Sequence, residues 1–439
     1  MPADLDDLFL TLRQHADAIP GGGAADARRL GTRRRKRMRA LTTAALAVCL
    51  ATAGTAVYLF VPPRSPASPA LSYGAEAREA TSAIEGDMVF TAWVAKDGEA
   101  GVQAATLSTG TSRWRVRMQG HVKSLRGVIA LPHAVLMVAD GNATVLDPPT
   151  GRKLWTFPYE VSDDLIYYDD LLVRQEKKTG VTHAYDWASG DLRWEQPATA
   201  DPPQRTLGMF VPSDAERVGR FGIPLTFKDP RLVQVTRSGA VRIRDARTGT
   251  LMQTRSAAAI DGLPPVAFDG RLYSVDRSPR FAVRVTELTG PSRSRVVHTG
   301  ADISAIAPCG DERVCVTDHS GLTAITIGDG RQAWRVPAPE GAGSIQFLGD
   351  GLVVDGPGEQ VLYGTDGKRL AAGRLGRLDG RHVLIFPNAV GEEIVRVTAA
   401  TGAQENAGPM PDAGFGCTWA TDKLACPGPS ALEIRTLNS

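Results

Sequence analysis

The 439-residue chain lacks a strong charge of either sign, because 50 Lys and Arg residues stand against 48 Asp and Glu residues. A net charge of +2 argues against a general nucleic-acid-binding protein, which needs a basic excess. The sequence also lacks a His-Glu-x-x-His pair, a Gly-x-Ser-x-Gly elbow, a phosphate loop and a calcium-loop pattern. We therefore predict no enzyme activity, no cofactor, no metal site, no catalytic residue and no nucleic-acid partner.

Cysteine is also scarce, with 5 residues in the chain, and Cys49 falls within an apolar run. The other four form two pairs that each flank a short turn, and Cys315 and Cys426 stand at equivalent places near the start of a predicted middle strand. No His lies at the spacing of a zinc motif. We therefore predict the disulfides Cys309–Cys315 and Cys417–Cys426, formed in an oxidising compartment.

One long segment, Ala40 to Val61, lacks charged residues and is long enough to span a bilayer as a helix. The basic run Arg33 to Arg37 precedes it, so the positive-inside rule predicts a cytoplasmic N-terminus and an external C-terminal part. Two alternatives are a cleaved signal peptide and a lipoprotein acylated at Cys49. Both are disfavoured, because the apolar core is long, continues past Cys49 and ends at Pro62-Pro63.

These signals divide the chain into four parts. Residues 1–39 form a cytoplasmic tail that is mostly disordered, with at most one short helix over Asp4 to Leu12. Residues 40–61 are the membrane span, and residues 62–71 are a Pro- and Ser-rich linker. Residues 72–439 form one external domain in which strands and turns alternate and no sustained helical period occurs.

A short turn recurs through this domain and organises it. Thr-Gly, Ser-Gly or Asp-Gly is followed by Trp four residues after the Gly, and weaker copies without Trp include Gly249. Successive glycines are mostly 35 to 41 residues apart, with one gap of 59, which is typical of a repeat architecture. Three copies carry an Asp whose carboxylate is expected to bind the turn's N–H groups. The residues of this pattern are Gly110, Trp114, Asp147, Gly151, Trp155, Asp186, Gly190, Trp194, Asp245, Gly249, Gly330 and Trp334.

The pattern Asp-x-x-Thr/Ser-Gly-x-x-x-Trp resembles the repeat of the quinoprotein-type (PQQ-like) β-propellers. The resemblance implies an all-β propeller, with a large indole on each outer strand in the wedge between blades. The family includes quinone-dependent alcohol dehydrogenases and non-enzymatic envelope proteins such as the scaffold lipoprotein of the outer-membrane barrel-assembly machine. The enzymes hold the quinone beside two adjacent cysteines, which this chain lacks, so the resemblance does not extend to quinone chemistry.

Eight blades are favoured, with seven or nine left open, because the anchored turns number eight and one further hairpin ends the chain. That last hairpin lacks its outer strand. A strand near Leu71 to Ala75 is expected to supply it and close the ring.

Two segments are candidates for binding. The 59-residue gap contains an insertion near Gln196 to Gly222, which we predict to be a loop with an apolar binding strip of Thr206, Leu207, Met209 and Phe210. The alternative is a segment that folds back onto its own blade. The run Asp163 to Asp170 is either a strand with solvated turns or a polar and aromatic patch for a peptide or cation.

The sequence therefore predicts a non-catalytic, membrane-anchored propeller that binds or scaffolds protein or other envelope partners outside the cytoplasmic membrane. The partner is expected on a propeller face. The alternative is a transmembrane sensor that relays an external ligand signal to the tail, and a quinoprotein dehydrogenase ranks third. The oligomeric state is not predicted.

Overall fold

A computed structural model describes residues 71–74, 76–211, 226–257, 263–277, 280–291, 293–300, 302–310, 312–377, 379, 381–411, 416–420 and 422–437. The predicted tail, the predicted membrane span and nearly all of the predicted linker lie outside these residues. Within the described residues, no helix is long and apolar enough to cross a membrane. The predicted span stays a prediction.

The described residues form 35 β-strands, in sheets whose consecutive strands run antiparallel. The first four sheets each contain four strands. Sheet 1 consists of β2 (Ala77–Glu85), β3 (Met88–Ala95), β4 (Ala100–Thr106) and β5 (Ser112–Arg117). Sheet 2 consists of β6 (Leu125–Leu131), β7 (Ala134–Ala139), β8 (Asn142–Leu146) and β9 (Lys153–Pro158). Sheet 3 consists of β10 (Asp164–Tyr167), β11 (Leu171–Gln175), β12 (Thr182–Asp186) and β13 (Leu192–Gln196). Sheet 4 consists of β14 (Pro203–Gly208), β15 (Arg231–Thr236), β16 (Ala240–Asp245) and β17 (Leu251–Ser256).

Sheets 5 to 8 follow in chain order. Sheet 5 consists of β18 (Val266–Phe268), β19 (Arg271–Asp276), β20 (Phe281–Glu287) and β21 (Ser294–Gly300). Sheet 6 consists of β22 (Ala305–Pro308), β23 (Arg313–Asp318), β24 (Gly321–Thr326) and β25 (Gln332–Val336). Sheet 7 has seven strands: β26 (Ser344–Phe347), β27 (Gly351–Asp355), β28 (Gln360–Gly364), β29 (Arg369–Arg377), β30 (His382–Phe386), β31 (Glu393–Thr398) and β32 (Gln404–Pro409). Sheet 8 consists of β33 (Thr418–Ala420), β34 (Lys423–Pro427), β35 (Ala431–Thr436) and β1 (Leu71–Ser72).

The sheets surround a common centre. The first strands of neighbouring sheets contact each other, as β10 contacts β14 and β14 contacts β18, and β2 of sheet 1 contacts β33 of sheet 8. In sheet 1 the second and third strands, β3 and β4, are largely buried on both faces. The side chains of the fourth strand, β5, are exposed or only partly buried. This is the architecture of a β-propeller, so the predicted all-β propeller class is confirmed.

The blade number of eight stays a prediction, because sheet 7 contains two four-strand units that share β29. Arg369 to Gly373 of β29 pair with β28, and Arg374 to Arg377 pair with β30. The strand therefore ends one unit and begins the next without an intervening turn.

The ring closes as the sequence predicts. β1 pairs antiparallel with β35, with Leu71 opposite Leu432, and so supplies the fourth strand of sheet 8. Just beyond it, Tyr73 stacks on Trp93 of sheet 1 with ring centroids 5.5 Å apart. Both rings share a core cluster with Ile434, so the strand joins the first and last sheets. Closure leaves no first or last sheet without a neighbour.

The prediction of a loop over Gln196 to Gly222 is wrong for the part that the structure describes. Thr206 and Leu207 belong to β14, the first strand of sheet 4, and Thr206 is 2 % exposed. Met209 is fully buried, and the Phe210 ring packs 5.3 Å from that of Phe268. The alternative of a segment folded back onto its own sheet describes Met209. The prolines misled because Pro203 begins the strand, where a missing N–H is tolerated. Residues 212–225 lie outside the described part.

Candidate functional site

The recurring turn has the same backbone geometry at Gly110, Gly151, Gly190, Gly249 and Gly330. Gly151 adopts a φ of 71°, and its N–H donates to the Asp147 carbonyl oxygen at 2.8 Å. Gly110 and Gly330 have φ values of 68° and 72° and make the corresponding bonds to the carbonyls of Thr106 and Thr326. A positive φ is a conformation that glycine adopts readily, which explains the residue at this place.

The Asp carboxylates bind the turn where N–H groups are available. Asp186 accepts hydrogen bonds from the N–H groups of Ala188 and Ser189 at 2.9 and 3.1 Å. The Arg193 guanidinium, together with these N–H groups, holds the pKa of Asp186 below its ordinary value. Asp245 accepts two equivalent bonds, both at 2.9 Å, from the N–H groups two and three residues further on. Asp147 instead accepts a bond from the Thr150 hydroxyl. The residue two positions after it is proline, which has no N–H.

The four repeat tryptophans join neighbouring sheets. Each lies on an outer strand, and its indole N–H donates to a turn carbonyl of the next sheet. The donor and acceptor pairs are Trp114 to Pro148 at 2.7 Å, Trp155 to Trp187 at 2.9 Å, Trp194 to Ala246 at 2.8 Å and Trp334 to Thr365 at 2.9 Å.

The same indoles cover the glycine of the next turn. A Cβ atom added at Gly151 would lie 2.5 Å from the Trp114 ring, and one at Gly190 would lie 2.5 Å from Trp155. Gly249 stands in the same relation to Trp194, at 2.8 Å. The indole and the glycine therefore form one packing unit that fixes adjacent sheets, and this role is structural.

The outer strands of sheets 4 and 5 carry no Trp to cover the turn of the next sheet. Gln253 takes the place of the Trp in β17, opposite Ile243, and His298 takes it in β21, opposite Val283. A Cβ atom added at Gly290 would meet nothing within 4 Å. The Arg255 guanidinium of β17 donates to the Gly290 carbonyl in place of an indole. We call the gap between the outer strands of sheets 4 and 5 the open wedge.

The wedge on the other side of sheet 5 also lacks an indole. There Arg295 donates to the Gly328 carbonyl of sheet 6 at 3.0 Å. A surface cavity of about 310 Å³ lies beside it. The cavity is lined by Val285, Glu287, Thr289, Pro291, Arg293 and Arg295.

Exposed apolar side chains concentrate in the same sector. Among the described residues, six large hydrophobic side chains are exposed, and four of them lie on the outer strands of sheets 3, 4 and 5. We call these four the apolar rim: Leu192, Leu251, Met252 and Val296, which are 49 %, 47 %, 59 % and 45 % exposed. Outer strands leave one edge of backbone N–H and C=O groups unpaired. The rim therefore combines free backbone groups with apolar side chains.

The charge of this sector differs from that of the whole chain. Residues 203–300 contain sixteen Lys and Arg residues and eight Asp and Glu residues, a net charge of +8. The whole chain carries +2, so the remaining sequence is acidic. Sheets 4 and 5 therefore form a basic sector that the overall balance conceals.

The acidic and aromatic run at Asp163 is paired within the protein. The Asp163 carboxylate lies 2.8 Å from the Arg174 guanidinium, and both side chains are nearly inaccessible. Asp164 pairs with Lys177 and accepts a hydrogen bond from the Thr206 N–H at 2.6 Å. Burial lowers the pKa of Lys177, although Asp164 opposes the shift. These residues join sheets 3 and 4, which favours the strand interpretation over a binding patch. The two carboxylates at the start of the strand are largely buried, however, and not solvated as expected.

Both predicted disulfides are present, with Cα atoms 5.6 Å apart for Cys309–Cys315 and 4.2 Å apart for Cys417–Cys426. We expected Cys315 and Cys426 to occupy equivalent positions in their strands, but the two positions differ by one residue. Cys315 is third in β23 and Cys426 is fourth in β34, and successive strand residues face opposite sides. As a result, the two bridges pack against opposite ends of sheet 7. Within the described chain, no three His, Cys, Asp or Glu side chains are grouped as metal ligands.

Sequence reasoning missed the apolar rim and the open wedge. The sequence does show that Trp is absent four residues after Gly249 and Gly290. That absence predicts an open wedge only when the contacts between neighbouring sheets are known.

Comparison with known proteins agrees with this architecture. A family model described as outer membrane protein assembly factor BamB matches residues 98–218 and 237–404. The solved structure of BamB from Moraxella catarrhalis is 18 % identical over 73 % of this chain and 91 % of its own, with a TM-score of 0.43. Saccharomyces cerevisiae Sqt1 is 11 % identical over 79 % and 98 %, with a TM-score of 0.46. A eukaryotic initiation factor is 10 % identical over 79 % and 92 %, with a TM-score of 0.51, which supports the fold alone. No curated protein sequence matches.

Proposed function

Because the chain belongs to the family described as outer membrane protein assembly factor BamB, we propose that it is a non-catalytic scaffold for a protein partner in the cell envelope. The family description, matched over more than half of the chain, is compatible with a role in envelope assembly and names no partner. Fold and family alone do not specify a ligand, so the surface carries the proposal.

The observation that carries it is the apolar rim. An extended partner segment can add to a free sheet edge through main-chain hydrogen bonds, while alternate side chains contact exposed apolar groups. Leu251 and Met252 stand side by side on β17, with Leu192 and Val296 on the outer strands of the two flanking sheets. Full burial of such a side chain contributes roughly 1.5–3 kcal/mol, so covering a half-exposed one contributes about 1 kcal/mol.

The net charge of this sector indicates which kind of partner segment it would bind. Residues 203–300 carry a net charge of +8, so a segment that mixes acidic and apolar residues complements the rim. Complementary charge increases the rate of encounter and disfavours basic competitors. We therefore propose an extended, acidic and apolar segment of a partner protein.

The proposal places the propeller outside the cytoplasmic membrane. Ala40 to Val61 would anchor it, with residues 1–39 in the cytoplasm, because the basic run before Ala40 favours that orientation. The two disulfides suit an oxidising compartment.

Site-specific photo-crosslinking of the full-length protein in cells tests the proposal. A photoreactive residue at Met252 should capture a protein whose crosslinked peptide is acidic, and Val296→Glu should reduce that capture. The matched control is Val390, which is 62 % exposed but lies in the turn between β30 and β31, away from this sector. A probe at Val390 should not capture the same peptide. Equal capture at both positions, or a basic peptide at Met252, would contradict the proposal.

A further inference from the structure

Two arginines face the open wedge without an acidic partner. Arg284 lies on β20 and Arg255 on β17, both side chains are half-buried, and neither has a carboxylate partner among the described residues. The Nε atom of each guanidinium is buried and has no hydrogen-bond acceptor. Arginine stays protonated in proteins, so it cannot relieve this state by losing a proton.

A third donor lies beside Arg284. Ser274 on β19 is 1 % exposed, and its buried hydroxyl has no partner. Ser274 stands directly opposite Arg284 in the pairing of β19 with β20, so the two side chains lie on the same face of sheet 5.

That face is turned towards sheet 4. Leu272 of β19 belongs to the core cluster shared with sheet 4, whereas Tyr273 and Val275 belong to the cluster shared with sheet 6. Because successive residues of a strand alternate between faces, Ser274 lies on the side of Leu272. Arg255 approaches from sheet 4, since its guanidinium donates to the Gly290 carbonyl of sheet 5. The side chains of Ser274, Arg284 and Arg255 therefore all lie in the wedge between the two sheets.

The three groups share one chemistry. Each can donate a hydrogen bond, and buried donors without acceptors are unfavourable and uncommon in native proteins. A group that supplies only acceptors and carries negative charge would satisfy them together. Two guanidinium charges match a dianionic phosphate better than a single carboxylate, and guanidinium groups bind phosphate oxygens through paired N–H donors.

The outer end of the wedge is not covered by an indole. In four other wedges an indole covers the next turn glycine, but a Cβ atom at Gly290 would meet nothing within 4 Å. We propose that the open wedge binds a phosphate-type oxyanion through the Nε–H groups of Arg255 and Arg284 and the Ser274 hydroxyl. This inference is independent of the proposed protein partner.

Isothermal titration of the purified full-length protein with inorganic phosphate, at constant ionic strength set by chloride, tests the site. Arg284→Gln and Arg255→Gln should each weaken binding at least tenfold, and Ser274→Ala should weaken it several-fold. Arg293→Gln is the matched control, because Arg293 is an exposed arginine beside the neighbouring wedge, and it should change affinity less than twofold. No phosphate heat above the chloride background, or equal affinity in all variants, would overturn the proposal.

A second measurement separates binding from folding. Arg284→Met removes an unpartnered guanidinium, so it should raise the melting temperature in phosphate-free buffer and abolish the stabilisation by phosphate. A variant that melts lower than the parent, with the phosphate stabilisation retained, would overturn the proposal. Repeating the titration with glycerol 3-phosphate, and with phosphatidic acid in nanodiscs, identifies a soluble phosphomonoester or a lipid headgroup as the source. Binding of either one that Arg284→Gln abolishes supports the site.

Discussion

The contact between Trp155 and Gly190 predicts a strong energetic coupling between two substitutions. Trp155 packs against the rings of Phe157 and Tyr185 at 5.1 and 5.6 Å and donates to the Trp187 carbonyl. Trp155→Ala removes these contacts, and loss of a core Trp lowers the free energy of unfolding by about 3–5 kcal/mol.

Gly190→Ala should destabilise the protein for two separable reasons. Gly190 has a φ of 76°, and a residue with a Cβ loses roughly 1–2 kcal/mol in that conformation. The new Cβ would also lie 2.5 Å from the Trp155 ring, and overpacking of this kind destabilises by about 1–3 kcal/mol. In the Trp155→Ala background the second contribution disappears, because the ring is absent. The double variant should therefore be about 1–3 kcal/mol more stable than the sum of the single effects predicts.

Urea unfolding of the four proteins of this cycle, followed by circular dichroism, measures the coupling. Gly290→Ala provides the control, because Gly290 has a φ of 66° but an added Cβ meets nothing within 4 Å. Its effect should be the conformational part alone, and it should add to that of Trp155→Ala. If Gly190→Ala and Gly290→Ala destabilise equally, or if the Gly190 cycle is additive, the packing unit described here is wrong.

Three further predictions follow from topology, covalent links and burial. A phosphatase fused after Ser439 should be active and one inserted before Arg33 inactive, as the basic run before Ala40 requires, and the reverse pattern would refute the orientation. Replacing both Cys417 and Cys426 by Ser should lower the unfolding free energy by ~2–3 kcal/mol, because the bridge closes a short loop. Maleimide labelling of either residue in the unreduced parent protein would contradict that bridge. Burial lowers the pKa of His298, so its folded state binds protons less readily than the unfolded chain. Stability should then fall as the pH drops from about 6.5, the ordinary value, through the lowered folded pKa. Unfolding midpoints of the parent and His298→Gln at pH 7.5 and 5.5 check this, and an equal pH response in both would exclude His298 as the cause.

The repeat was predictable because its determinants are local. A turn that needs positive φ selects Gly, and an outer strand that must cover the next turn selects Trp four residues later, so both appear at fixed spacing. β14 was not predictable in this way. A short first strand that begins at Pro203 and ends near Met209 has the same composition as an apolar loop, and only its pairing with β15 distinguishes them. Likewise β29 continues from Gly373 into Arg374 without any turn residue to mark the change of partner, so the sequence contains no signal for the junction within sheet 7.

Packing alone does not account for the composition of sheets 4 and 5. If the missing indoles had been replaced for stability, apolar residues would be expected at their places, yet Gln253 and His298 stand there. The wedge nearby contains Arg255 and Arg284 with unpartnered Nε atoms, in a sector that carries the largest basic excess of the folded domain. Buried donors without acceptors are unfavourable, whereas four other wedges of the same protein are covered by an indole. Proteins retain such local losses chiefly where a ligand or partner later satisfies the groups involved. The coincidence of an open wedge, buried Nε atoms without acceptors and an exposed apolar rim in neighbouring sheets therefore supports our proposal that this sector is the functional surface of the propeller.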